Sequence, residues 1–252
     1  MKKFIRTAVI ASAMMAAMLV SSYAAQKTDF YNQDALSLAS GTITRDGSLT
    51  FPAATKFEEN NDIYRYFHTV TPYLSQFEAD HTSDGQKFII SSKTLDEMTM
   101  KANAVEQEAD RVVHTILREG MTEKEAVNAL ALYVKSTYPY DYEGLSDIEQ
   151  IAKEQSAYYM IMNKKGVCAS LSKFFKALCD KTLLDAAGRV NFTSGNIHVN
   201  AVTVSGISST LNANHMWTEV RYSDGTEAVY DVTNTPFPKM KDTFYTEMKI
   251  GR

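Results

Sequence analysis

The sequence predicts an α+β protein, in which helices, one of them carrying a cysteine at its start, pack on an antiparallel β-sheet. Three observations predict it. Apolar residues recur at three- and four-residue steps between positions 95 and 178, which is the period of amphipathic helices. β-Branched and aromatic runs then dominate from 189 to 232, and Ser223-Asp224-Gly225 between the last two of them is a hairpin turn. Helices first and strands afterwards favour segregated layers over alternating parallel units. A length of 252 residues with 44% hydrophobic residues buries one good core, with room for a small accessory domain.

Residues 1–24 read as an export signal. Lys2, Lys3 and Arg6 form a basic start, and 7–20 is an uncharged, mostly apolar run short for a bilayer span. Ser22 and Ala24 supply small residues where a signal peptidase reads, so cleavage is expected after Ala24, an uncleaved anchor being the alternative. The mature chain is then expected to be secreted or held at the cell surface, without a stable membrane span. From 25 to 93 the sequence is polar and turn-rich. Asp46-Gly47, Asn60-Asn61 and Asp84-Gly85 separate short β-like runs such as 63–70 and 87–91, which predicts a β-rich accessory or spacer region.

Leu95, Met98, Ala102, Val105, Ala109, Val112, Val113, Ile116 and Leu117 predict one long amphipathic helix, ended by Gly120. Thr122-Glu123-Lys124-Glu125 has capping-box spacing, so a second helix runs from there to about Thr137, before Pro139. A third helical stretch begins near Asp147 and leads into Ala157 to Met162. Asn163-Lys164-Lys165-Gly166 interrupts it. Leu171, Phe174, Phe175 and Leu178 then mark the buried face of a helix whose first turn contains Cys168, and the runs 189–193, 197–204, 215–222 and 226–232 are strands.

Removing the signal takes three of the 26 basic residues, so 23 face 30 acidic ones, a net charge of −7 that argues against nucleic acid as a partner. Cys168 and Cys179 lie on one helix, about 16 Å apart along its axis, beyond disulfide reach. Both are read as free thiols, Cys179 as a core residue beside Leu178. With no Cys-x-x-Cys or His-x-x-x-His spacing and no glycine-rich phosphate loop, neither a metal nor another cofactor is expected.

Cys168, His215 and Asp231 are the one trio that offers a reaction. A thiol titrates near 8.5 unaided, and a helix start and a nearby imidazolium both favour the thiolate. Gly166 lets the chain turn into that helix and leaves room for substrate backbone, while the Cys168 amide is placed to donate to an oxyanion. His215 takes and returns the proton, and Asp231 holds its ring in one tautomer. A hairpin closing at Asp224-Gly225 faces His215 with Asn234 and Asp231 with Thr218, about three residues out of register, so a bulge or a different turn has to bring them together. Trp217, the single tryptophan, is read as a core or cleft-wall residue.

These residues resemble the transglutaminase-like superfamily, whose bacterial members are thiol enzymes with a papain-like catalytic arrangement. Ser156-Ala157-Tyr158, then Gly166-Val167-Cys168 after seven intervening residues, is similar to the family's nucleophile segment. Asn214 to Val220 is similar to its histidine strand and Tyr230-Asp231-Val232-Thr233 to its aspartate strand, while Arg118 to Thr122 and Tyr140-Asp141 resemble the helical lead-in of bacterial members. The resemblance covers about 95–235. It implies that 94–252 is a catalytic domain working through a cysteine thioester, with the register gap closed in three dimensions. By its place relative to the nucleophile, Tyr158 is either a second oxyanion or cleft residue or a packing tyrosine. Where the family commonly has a small residue, an aromatic and an alanine after the cysteine, this chain has Ala169-Ser170-Leu171-Ser172, a departure that bears on cleft shape.

The expected activity is acyl transfer from peptide or protein amides, a cell-wall or surface protein being one candidate substrate, with hydrolysis slightly favoured over cross-linking. A binding module that kept the fold without turnover is the competing class.

Overall fold

The three- and four-residue apolar steps wind Ser92–Ile116 into one long helix, α1, whose Val105, Ala109, Val112 and Val113 are fully buried. The computed structural model describes residues 42–43, 45, 49–52, 80–81, 87–143, 155–208, 213–233 and 245–247. The signal-like segment, the 63–70 run and the start of the third helical stretch near Asp147 lie outside these residues. The chain divides into two compact units, the division falling within α1 after Lys101. In the first unit β1 (Thr42–Ile43), β2 (Leu49–Pro52), β3 (Asp80–His81) and β4 (Lys87–Ile90) form an antiparallel sheet in the order β1-β2-β4-β3.

The second unit holds the site. Gly120, at φ 83, supplies the left-handed residue that separates α1 from α2 (Glu123–Thr137). The Thr122 hydroxyl accepts the Glu125 amide at 3.3 Å while the Glu125 carboxylate accepts the Thr122 amide at 2.9 Å, so two otherwise unpaired donors are satisfied at the helix start. A shorter helix, α3 (Ala157–Asn163), is capped by Ser156 and ends on Lys164 at φ 58. Then follows α4 (Cys168–Lys181), buried continuously from Ala169 to Cys179. That burial includes Lys173 and Lys176, positions a one-sided helix would leave to solvent. The reason is position: α4 packs against α2, α3 and three strands.

Behind α4 lies an antiparallel sheet in the order β10-β7-β8-β9, formed by β7 (Asn200–Ser208), β8 (Ala213–Arg221), β9 (Glu227–Tyr230) and β10 (Tyr245–Glu247). Phe174, Phe175 and Leu178 of α4 meet Ala201, Val220 and Tyr230 of the sheet in one core with α1 and α2. The predicted α+β layering is therefore what the chain adopts. Two strand expectations differ. Residues 189–193 are no strand: Arg189 and Val190 make single bridges, and the Asn191 carboxamide oxygen then accepts the amides of Thr193 and Ser194, folding the chain into a turn. The 197–204 run is split, β6 (Ile197–His198) pairing with β5 (Leu183–Leu184) apart from the main sheet.

The hairpin also closes differently. Tyr222 donates to Thr226 O and Gly225 to Tyr222 O, with Gly225 at φ 82 and the Asp224 carboxylate accepting the Thr226 amide, so three residues rather than two make the loop. Arg221 therefore faces Glu227 and Thr218 faces Tyr230. Continued past the last pair, this register sets Asp231 opposite Trp217 and two residues from the position opposite His215.

Candidate functional site

That shift by one residue decides whether His215 and Asp231 can meet. Side chains alternate across a strand, so an offset of three puts them on opposite faces, whereas an offset of two makes them diagonal neighbours on one face. No bulge is needed. The ladder stops at Tyr230 and the chain turns, and His215 Nε2 lies 2.9 Å from Asp231 Oδ2. Asp231 is fully buried, and a buried carboxylate is tolerable only when its oxygens are satisfied. Its second oxygen accepts the Thr233 amide at 3.1 Å and the Thr233 hydroxyl at 2.5 Å. Lys135 of α2 holds that turn by donating to Thr233 O at 3.4 Å.

Cys168 is the first residue of α4 and partly accessible, whereas Cys179 is fully buried in the core. The helix starts at Val167, a residue with no side-chain oxygen to cap first-turn amides. Ser170 steadies the start instead, its hydroxyl accepting the Val167 amide at 2.9 Å. The Cys168 sulfur receives the backbone amides of Met216 and Ala169 and hydrogen-bonds with the His215 ring. Burial pushes the thiol up, but these contacts outweigh it and the thiol is lowered. Burial likewise pulls the imidazole down, and its hydrogen bonds to Asp231 and Cys168 overcome this and raise it to about 9. Both shifts favour one state, thiolate beside imidazolium.

What holds the helix start against the histidine strand is a pair of buried hydroxyls one turn along. Ser172 donates to Met216 O at 3.0 Å, and Thr218 donates to Ser172 O at 3.1 Å. Neither was marked by a sequence motif, since a serine or threonine inside an apolar pattern carries no sign of its tertiary partner. Replacing Ser172 by Ala is expected to lower stability by about 1–2 kcal/mol, the cost of a lost buried hydrogen bond. A urea unfolding midpoint equal to wild type would show that the stitch contributes nothing.

The remaining sequence candidates fall as follows. Trp217 is fully buried, its ring 6.4 Å from that of His215 and its indole N–H donating to Glu219 at 3.1 Å. Gly166 is buried, and its missing Cβ makes room inside the protein instead of for a substrate: an added carbon would meet Ser170 Oγ at 2.5 Å and Met160 Cγ at 2.7 Å. Tyr158 is half-buried against the main core. The tyrosine beside the cysteine is Tyr140, whose hydroxyl hydrogen-bonds with both the backbone and the side chain of Cys168. Burial, ahead of the Cys168 charge, raises the Tyr140 phenol far above neutral pH, so it stays protonated. Its sequence signal was the Tyr140-Asp141 pair, read as part of a lead-in with no role attached. Among the described residues, no group of three or more His, Cys, Asp or Glu side chains is placed to hold a metal ion.

Residues 110–230 match the family model described as the transglutaminase-like superfamily. Among solved structures, the chain is similar to a protein of Cytophaga hutchinsonii proposed to be a cysteine protease, at 17% identity and a TM-score of 0.37, over 51% of this chain and 37% of that one. It is similar also to a structure described as a TGase, at 12% identity and a TM-score of 0.39, over 74% of this chain and 52% of that one. The chain thus spans 37% and 52% of the lengths of these two structures. No curated protein sequence matches it.

Proposed function

We propose, from the premise that residues 110–230 belong to the transglutaminase-like superfamily, that this chain is a thiol acyl-transfer enzyme acting on peptide or protein amides. The observation that carries this reading is the chain of contacts from Cys168 through His215 to Asp231, with the phenol of Tyr140 hydrogen-bonded to Cys168. Cys168 is the nucleophile. His215 bonds Asp231 through Nε2, which leaves Nδ1 to serve the sulfur, and its proton goes to the leaving amine as the C–N bond breaks. Asp231 keeps the ring oriented. The Tyr140 hydroxyl, which at rest accepts the Cys168 amide and donates to the sulfur, is the donor that turns to the oxyanion of the tetrahedral intermediate, and the Cys168 amide it frees is the second.

Hydrolysis is the favoured outcome. Cys168 is partly accessible, so water reaches a thioester formed here. The proposed substrate lies outside the cell, a cell-wall or surface protein being one candidate, because the first 24 residues read as an export signal. Among the described residues no helix is long and apolar enough to cross a membrane. Incubation with a glutamine-rich protein and a fluorescent primary amine separates the outcomes. Cys168-dependent cleavage or deamidation without amine incorporation is expected. Incorporation of the amine would make the protein a cross-linker, and iodoacetamide labelling of Cys168 no faster than an ordinary thiol would leave a binding module.

A further inference from the structure

We infer that Tyr142 is a specificity-determining residue, an aromatic ledge that receives an aromatic or large aliphatic side chain of the peptide two or three residues from the reacting carbonyl. This rests on the proposed role of Cys168 and extends it to the kind of peptide the site accepts. Among the described residues Tyr142 is the most exposed large hydrophobic side chain, at 77%. An aromatic ring left open to water has apolar area still to bury, and partner rings supply it best.

Its place gives that exposure a direction. The Tyr142 ring lies 4.8 Å from the Tyr140 ring at an interplanar angle of 50°, and the Tyr140 hydroxyl is bonded to Cys168. Adding a ring radius and one hydrogen bond of about 3 Å each puts the Tyr142 ring within about 11 Å of the sulfur. An extended peptide rises about 3.3 Å per residue, so a chain with its carbonyl at the sulfur reaches the ledge with its second or third residue.

The backbone leading into the ledge is fastened in place. Tyr140 bridges Gly166 in parallel fashion, Asp141 donates its amide to Gly166 O at 2.9 Å, and Gly166 donates to Pro139 O at 3.2 Å. Lys165 pairs with the nearly buried Asp141 carboxylate at 2.8 Å. The segment carrying Tyr142 is thus fastened to the loop that presents the nucleophile, and contact with it orders little new chain.

Peptidyl chloromethyl ketones with Phe, Leu, Ala or Asp at the second and third residues test this by alkylation of Cys168, which requires no turnover. Iodoacetamide, too small to reach the ledge, reports the activation of the thiol separately. In wild type the Phe and Leu probes are expected to alkylate about tenfold faster than the Ala probe. Tyr142→Ala should erase that preference without changing the iodoacetamide rate, and Tyr142→Phe should keep it, since the ring and not the hydroxyl makes the contact. Equal probe preference in wild type and Tyr142→Ala would overturn the ledge. A slow iodoacetamide rate in wild type would instead count against an activated Cys168, whatever the probes show.

Discussion

Replacing His215 by Ala is expected to slow iodoacetamide alkylation of Cys168 at pH 6 by about 10- to 100-fold. The thiol is lowered because hydrogen bonds from the His215 ring and two backbone amides outweigh its burial. Without the ring the balance swings toward burial and the thiol rises, so the ratio of ionised to neutral thiol at pH 6 falls. The rate falls by less than that ratio because a more basic thiolate attacks faster, with a sensitivity of about 0.4–0.5. Cys179, fully buried, serves as an internal reference that stays unlabelled while the protein is folded. An unchanged Cys168 rate in the variant would mean that the ion pair does not exist.

The second large effect is expected at Asp231. The Asp231→Asn protein should lose about 10²- to 10³-fold in kcat on any amide substrate, because the amide neither fixes the reactive tautomer nor stabilises the imidazolium. The pH dependence gives a sharper check. With His215 raised to about 9, the thiolate–imidazolium pair exists above the lowered Cys168 pKa and below about 9. Activity therefore falls on the acid side as the thiolate gains a proton and on the alkaline side as the ring loses one. In Asp231→Asn, burial of the ring is no longer opposed by the carboxylate, so the alkaline limb moves down from about 9 toward 6.5. Proton NMR of the His215 Cε1–H follows the same shift without a substrate. A ring that still titrates near 9 would show that Asp231 does not set its charge.

Local rules made much of the framework legible. Thr122 and Glu125 form the expected capping box, α2 ends at Thr137 before Pro139, and Cys168 opens a helix after the break at residues 163–166. Each depends on neighbours within a turn or two of sequence. The contact between His215 and Asp231 does not. It turns on whether the hairpin loop has two or three residues, and Ser223-Asp224-Gly225 is compatible with either until the left-handed Gly225 and the Asp224 cap on Thr226 are seen. Tyr140, Ser172 and Thr218 were hidden for a related reason. Their partners lie 28, 44 and 46 positions away (Cys168 from Tyr140, Met216 from Ser172, Ser172 from Thr218), and no short-range pattern announces a contact at that separation.

The three-residue loop at Ser223–Gly225 lies on the far side of the hairpin from Asp231, yet it acts as the phase control of the site. Every residue of β9 inherits its facing from where the loop closes. Lengthening the loop by one residue leaves each side chain chemically intact and turns the carboxylate away from the imidazole. Loop length, a property usually free to drift on a protein surface, is here a condition for the proposed reaction.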